Sequence, residues 1–258
     1  MSTEIEIQGE RYEAQAVLTA LEPLIKETRM TRMREVLAQR LTSVRLGVED
    51  LHHEHNGAAC IRTAEGLGVH TIMAAERRNP YPVPTESGAA AALEPTSTQK
   101  GRIRKGNKIP RSISTSAHRW VELKRYPTGP ELIQSAHAEG YKVYGAGPRG
   151  DLKLLDIPLD QPLVLLFGNE ASGLLEETMD LCDGVFQIPM YGFTESFNLS
   201  VSAGMVLEQV CARVREGLWA QGRRGELSER EQGSLLATWA SREFSQRELS
   251  AILSRFLP

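Results

Sequence analysis

Cysteine is scarce in this sequence: Cys60, Cys182 and Cys211 are the whole supply, far apart and with no CxxC pair. That spacing argues against a zinc ribbon or a disulfide framework and fits a reducing cytoplasm. Long apolar runs are missing too. No stretch approaches the roughly 20 apolar residues of a membrane span, and the acidic start MSTEIEIQGE lacks the basic-then-apolar pattern of a secretory signal. Neither sign of charge dominates, because the formal net charge is only -3 over 258 residues, so the whole chain does not advertise a polyanion partner. What is present, 41% hydrophobic and 24% charged residues, fits a soluble globular protein with one substantial core.

The charge that exists is unevenly placed. Residues 1–25 hold five Glu against one Arg, residues 26–45 hold six basic against two acidic side chains, and residues 100–125 hold nine basic residues against Glu122 alone. Local basic patches of this kind fit nucleic acid, with solvated faces as the plainer explanation. In LHHEHN, His52, His53 and His55 invite a metal, but no Cys or second His cluster stands at ligand spacing, and no metal is expected. GAGPRG, from Gly145 to Gly150, matches G-x-G-x-x-G after the strand-like YKVY. A dinucleotide site needs those glycines to open a helix, whereas Pro148, Pro158 and Pro162 break the segment in which that helix would run. An NAD-dependent oxidoreductase is therefore a minor alternative.

Apolar spacing predicts one or two helices between Tyr12 and Leu41. A strand at RLGVEDL, a helix at NGAACIRTAEGLG and a strand at HTIMAA make a β-α-β unit. Residues 79–112 then form a long loop with several prolines, an alanine run and the basic GRIRKGNKIPR. Alternation resumes with the strand RWVELKRY, the helix PTGPELIQSAHAEG, the strand YKVYGA and the wholly apolar PLVLLFG, expected at the centre of a sheet. Next come a short helix LLEETMDLC, a strand GVFQIPM and a helix over about 198–218. Two last helices carry capping boxes, Ser228 with Glu231 and Ser245 with Glu248. The chain has no internal repeat. It divides into an N-terminal helical extension (1–45), an α/β domain with a mostly parallel sheet (46–218) and C-terminal helices (219–258).

Three turns leave predicted strands at their C-terminal ends, where open α/β sheets hold ligands: HNGAACIR, GNEASGLL and YGFTESFNLSVSAG. Each alone reads as an ordinary β-to-α turn in which Asn56, Glu170 or Asn198 caps a helix. Together, HNGAACIRTAEGLGV, LVLLFGNEASGL and IPMYGFTESFNLSVSAGMVLE resemble, in order and spacing, the three motifs of the SpoU/TrmH-like ribose 2′-O-methyltransferases of RNA, in the SPOUT class. The resemblance spans about Met30 to the C-terminal helices.

That resemblance implies a C-terminal trefoil knot, S-adenosylmethionine as cofactor, and a cytoplasmic homodimer whose site borrows from both subunits. By matching position it assigns Asn56, Arg62, Glu170, Ser196 and Asn198 to catalysis, and Ala146, Leu166, Gly168, Ile188, Met190, Phe197 and Leu199 to the cofactor. The arrangement looks like the tRNA members that methylate a D-loop guanosine, supported by REVLAQR, although GNEASGL is closer to rRNA-type members than to their Lys-Trp-Gly version. An rRNA methyltransferase and a non-catalytic knotted RNA-binding dimer are the alternatives. Arg102, Arg104, Lys105, Lys108 and Arg111, in the basic loop, are expected to contact RNA.

Overall fold

The computed structural model describes residues 4–81, 117–148 and 150–256. In chain order the elements are β1 (Glu4–Ile7), β2 (Glu10–Glu13), α1 (Ala14–Leu21), α2 (Glu27–Leu37), β3 (Val44–Glu49), α3 (Glu54–Gly66), β4 (Thr71–Ala75), β5 (Glu122–Tyr126), α4 (Gly129–Ala138), β6 (Lys142–Ala146), β7 (Leu152–Lys153), β8 (Leu163–Phe167), α5 (Glu176–Met179), β9 (Gly184–Gln187), α6 (Leu199–Ala220), α7 (Glu229–Ser241) and α8 (Gln246–Phe256). They fall into two compact units. One comprises residues 4–38 and 227–256, the other residues 39–81 and 117–226.

In the first unit, α1 packs on α7 and α8, and α2 packs on α7. Its start corrects the expectation of a purely helical extension, because β1 and β2 form an antiparallel hairpin. The cause is local: in EIEI, Ile5 and Ile7 are buried and the glutamates are exposed, a period of two. Gln8 and Gly9 then turn the chain with positive φ at both positions, the geometry favoured by two-residue hairpins. Ser228 and Glu231 form the expected capping box on α7, and Ser245 and Glu248 bond reciprocally at the start of α8.

The second unit is a seven-stranded sheet in the order β5-β4-β3-β8-β6-β9-β7, with every pairing parallel. β8, LVLLF, lies at the centre and is buried along its whole length. A strand covered on both faces has no position for a polar side chain, so its sequence is continuous rather than alternating. On one face, Leu132, Ile133 and Ala136 of α4 pack with Met73, Val143, Val164 and Leu166. On the other, α6 lies against β3 and β8, and α3 lies against α6. Each large apolar side chain so buried contributes about 1.5–3 kcal/mol.

Among the described residues, no α-helix directly follows the GAGPRG stretch. β6 runs on to a turn, the two-residue β7 and a short 3-10 helix at Leu154–Asp156, so the frame a dinucleotide site requires does not form.

Candidate functional site

Because β3, β8 and β9 run parallel, their C-terminal ends emerge on one edge of the sheet, and each is followed by one of the three motifs. Asn56 lies in the first turn of α3, which begins at Glu54, so Asn56 is not that helix's cap. Its side chain is buried, and both its ends are bonded. Nδ2 donates to Glu170 Oε1 at 2.7 Å, and Oδ1 accepts from Asn198 Nδ2 at 3.0 Å. Asn198 does cap α6: its Oδ1 accepts from the Ser200 amide at 2.9 Å. One amide side chain thus ties the third motif to the second through the first.

Glu170 also accepts the backbone amides of His52 at 3.0 Å and His53 at 3.2 Å. Burial pushes its carboxyl upward, but the hydrogen bonds from Asn56 and these amides outweigh burial and hold it below the usual carboxylate range. It therefore stands charged at neutral pH. The turn that carries it is shaped by Asn169, whose Oδ1 accepts from Ala171 N at 2.9 Å and Ser172 N at 3.3 Å, and whose Nδ2 donates to Asp50 O at 2.7 Å. Gly168 permits that turn, since a Cβ there would stand 2.1 Å from the backbone of Gly173 and of Leu174.

Arg62 and Ser196 stand outside this cluster. Both are exposed, and neither makes a hydrogen bond or ion pair with any described residue. The residues expected to meet the cofactor line three neighbouring strand ends: Ala146 closes β6, Leu166 and Gly168 flank the end of β8, and Ile188 and Met190 lie just after β9. Leu166 and Leu199 are buried, whereas Ala146, Gly168, Ile188 and Met190 are partly exposed and Phe197 is 41% exposed. A hollow of about 240 Å³ lined by His137, Tyr141, Lys142 and Asp183 lies at the opposite, N-terminal end of β6 and holds none of the motif residues.

Other expectations fare differently. Arg102, Arg104, Lys105, Lys108 and Arg111 lie outside the described residues. The basic run over 26–45 is no free patch: Arg29 pairs with Glu243, Arg32 with Glu35, Arg34 with Glu22, Arg40 with Glu65 and Arg45 with Glu139. The histidines of LHHEHN serve through His52 and His53, by their backbone amides on Glu170, a role that side-chain chemistry does not signal. Asn169 and Asp50 went unread in the sequence, although each adjoins a strand end, where a small polar side chain is the available signal.

The chain matches the model of the SpoU rRNA Methylase family over residues 96–208. It is 30% identical over 199 residues to the tRNA (guanosine(18)-2'-O)-methyltransferase of Thermus thermophilus, covering 76% of this chain and 89% of that one. The enzyme of the same name from Aquifex aeolicus is 27% identical over 222 residues, covering 85% and 92%. Among solved structures, the A. aeolicus TrmH/SpoU tRNA modifying enzyme superposes with a TM-score of 0.67 at 25% identity, covering 85% of this chain and 98% of that one. Likeness over most of both chains, in sequence and in fold, makes this chain a member of the SpoU methylase family.

Proposed function

We propose that this protein methylates a ribose 2′-hydroxyl of RNA, most specifically a guanosine in the D-loop of tRNA. One observation carries the proposal: the Asn198–Asn56–Glu170 chain of hydrogen bonds joins all three motifs at the ligand-binding edge of the sheet. The partly exposed apolar residues Ile188 and Met190, beside strand ends that carry Ala146 and Gly168, fit a nucleoside: apolar walls for a base, and accessible backbone for its polar edge. S-adenosylmethionine, when bound there, supplies a methyl group on a sulfonium.

The chain's own residues then have to position the nucleophile at roughly 3–3.5 Å and help its proton leave. Free arginine has a pKa above about 12, which opposes a role for Arg62 as base. Arg62 instead pairs a phosphate beside the target ribose and lowers the hydroxyl's pKa electrostatically. Asn56 and Glu170 keep the first and second motifs in register. Arg62→Lys, which keeps the charge but loses the planar fork, is expected to lose most turnover in a single-turnover methylation assay.

Arg62 lies apart from its own cluster, so we assign it to the site of a second copy in a homodimer. Tyr191, Phe193, Phe197 and Val201, exposed beside Asn198, supply an apolar face for that copy. A trefoil knot is the topology we assign to the C-terminal half. β9 lies between β6 and β7, although β6 and β7 are successive in the chain. Gly150, in their connection, passes so close that a Cβ would stand 2.5 Å from Val185 O. Arg213 of α6 holds the segment that follows β7, donating to Leu154 O and Ile157 O. We assign catalysis to residues 46–218, with 1–45 and 219–258 as appended segments, and free thiols, those of Cys60 and Cys211 buried, suit work in the cytoplasm.

Methyl-labelled S-adenosylmethionine offered with separate unmodified tRNA and rRNA pools tests the reading. The expected product is 2′-O-methylguanosine in tRNA. Label confined to rRNA moves the substrate to the ribosome, and no label in either pool overturns the enzymatic reading.

A further inference from the structure

Asp50 directly follows β3 with φ +52°, a left-handed conformation that L-residues rarely adopt and that Asp and Asn tolerate better than most. The surroundings fix it there. Its amide donates to Ala75 O at 2.8 Å, and its carbonyl accepts from Asn169 Nδ2 at 2.7 Å and Asn79 Nδ2 at 3.3 Å. Its Oδ1 accepts two successive backbone amides, Arg78 N at 2.7 Å and Asn79 N at 2.8 Å. One residue thereby clamps the turn after β4 against the loop that carries Glu170.

The clamped turn presents two guanidinium groups with different fates. Arg77 pairs with Glu177 at 2.7 Å. The Arg78 side chain is exposed and makes no hydrogen bond or ion pair with any described residue. Its backbone is held, so only its own rotamers remain to be ordered on binding, and a planar fork of donors suits a phosphate. Neither nearby carboxylate pairs with that guanidinium: Asp50 Oδ1 accepts two backbone amides, and Glu170 accepts from Asn56, His52 and His53.

We infer that Arg78 binds a backbone phosphate of the RNA near the methylated ribose, and that Asp50 is the positioning residue that presents it. This rests on the RNA 2′-O-methyltransferase reading of the same site. The contact is to phosphate and adds affinity without choosing a base.

The test measures binding of an unmodified tRNA transcript to the full chain across a salt series, with S-adenosylhomocysteine affinity and Tm as controls. Arg78→Ala is expected to weaken tRNA binding several-fold and to reduce the slope of log K against log salt by about 0.7–0.9, the release expected for one phosphate contact. Both controls should stay at wild type. Asp50→Ala, which frees the turn, should reproduce the loss, while Asp50→Asn, which keeps an accepting oxygen and tolerates the same φ, should restore binding. An unchanged slope in Arg78→Ala overturns the inference, as does a loss in Asp50→Ala that Arg78→Ala does not share. A wild-type protein with no salt-dependent tRNA binding overturns the RNA reading as well, which separates the two failures.

Discussion

Asn56 is buried with a bonded partner at each end of its amide. Its replacement by alanine strands Glu170 on one side and Asn198 on the other, and each lost partner costs about 1–3 kcal/mol where water cannot take its place. Asn198 and Glu170 are partly solvated, so the lower end applies, and Asn56→Ala should lower Tm by a few degrees in a thermal melt. Its effect on methyl transfer should be far larger, about 100-fold, because misplacement near a reacting centre acts on the rate directly. Glu170 has a separate signature in pH. A carboxylate held low contributes stability above its unfolded pKa of about 4.3 and loses it as pH falls through the lower folded value. Glu170→Gln should therefore flatten the acid limb of a stability-versus-pH curve below about pH 4, and a limb identical to wild type would remove the charge from the account. The thiols behave oppositely: burial pushes Cys60, Cys182 and Cys211 up to about 12, so at pH 8 all three should react slowly with Ellman's reagent until denaturant is added.

At the scale of elements, the parallel sheet puts its polar turns at one edge, and glycine decides how closely they approach. Gly168→Ala sets a methyl against the backbone of Gly173 and Leu174 rather than against a movable side-chain end. The substitution should cost about 1–3 kcal/mol or more and lower affinity for S-adenosylhomocysteine, measured by calorimetry. In the smaller unit the capping box of α7 gives a cleaner quantity. Ser228→Ala removes the bond to the Glu231 amide and should cost about 1 kcal/mol without touching methyl transfer. These elements were readable because their signals are local: the apolar run LVLLF, the capping boxes, and the glycine and proline punctuation around 145–162. The hairpin at Gln8–Gly9 was equally local, but four-residue strands give too few alternations to outweigh the helical spacing of the next segment.

For the whole molecule, the separation of Arg62 from the Asn198–Asn56–Glu170 cluster makes assembly the deciding property. If two copies share each site, mixing inactive Arg62→Ala and Asn198→Ala proteins should restore about a quarter of wild-type activity, since half the dimers are mixed and each holds one intact site. No recovery after subunit exchange would place Arg62 in its own subunit's site. Sequence alone determined the class of fold, the central strand, the order of the three motifs and the family they resemble, because periodicity and motif spacing are written along the chain. Tertiary structure alone decided that Asn56 bridges Glu170 and Asn198, that His52 and His53 act through their amides, that most of the basic run over 26–45 is spent on internal ion pairs, and that Asp50 clamps the turn bearing Arg78. Those contacts join residues up to 214 positions apart. Which polar side chains meet is fixed by strand order and register, and neither is carried by any local stretch of sequence.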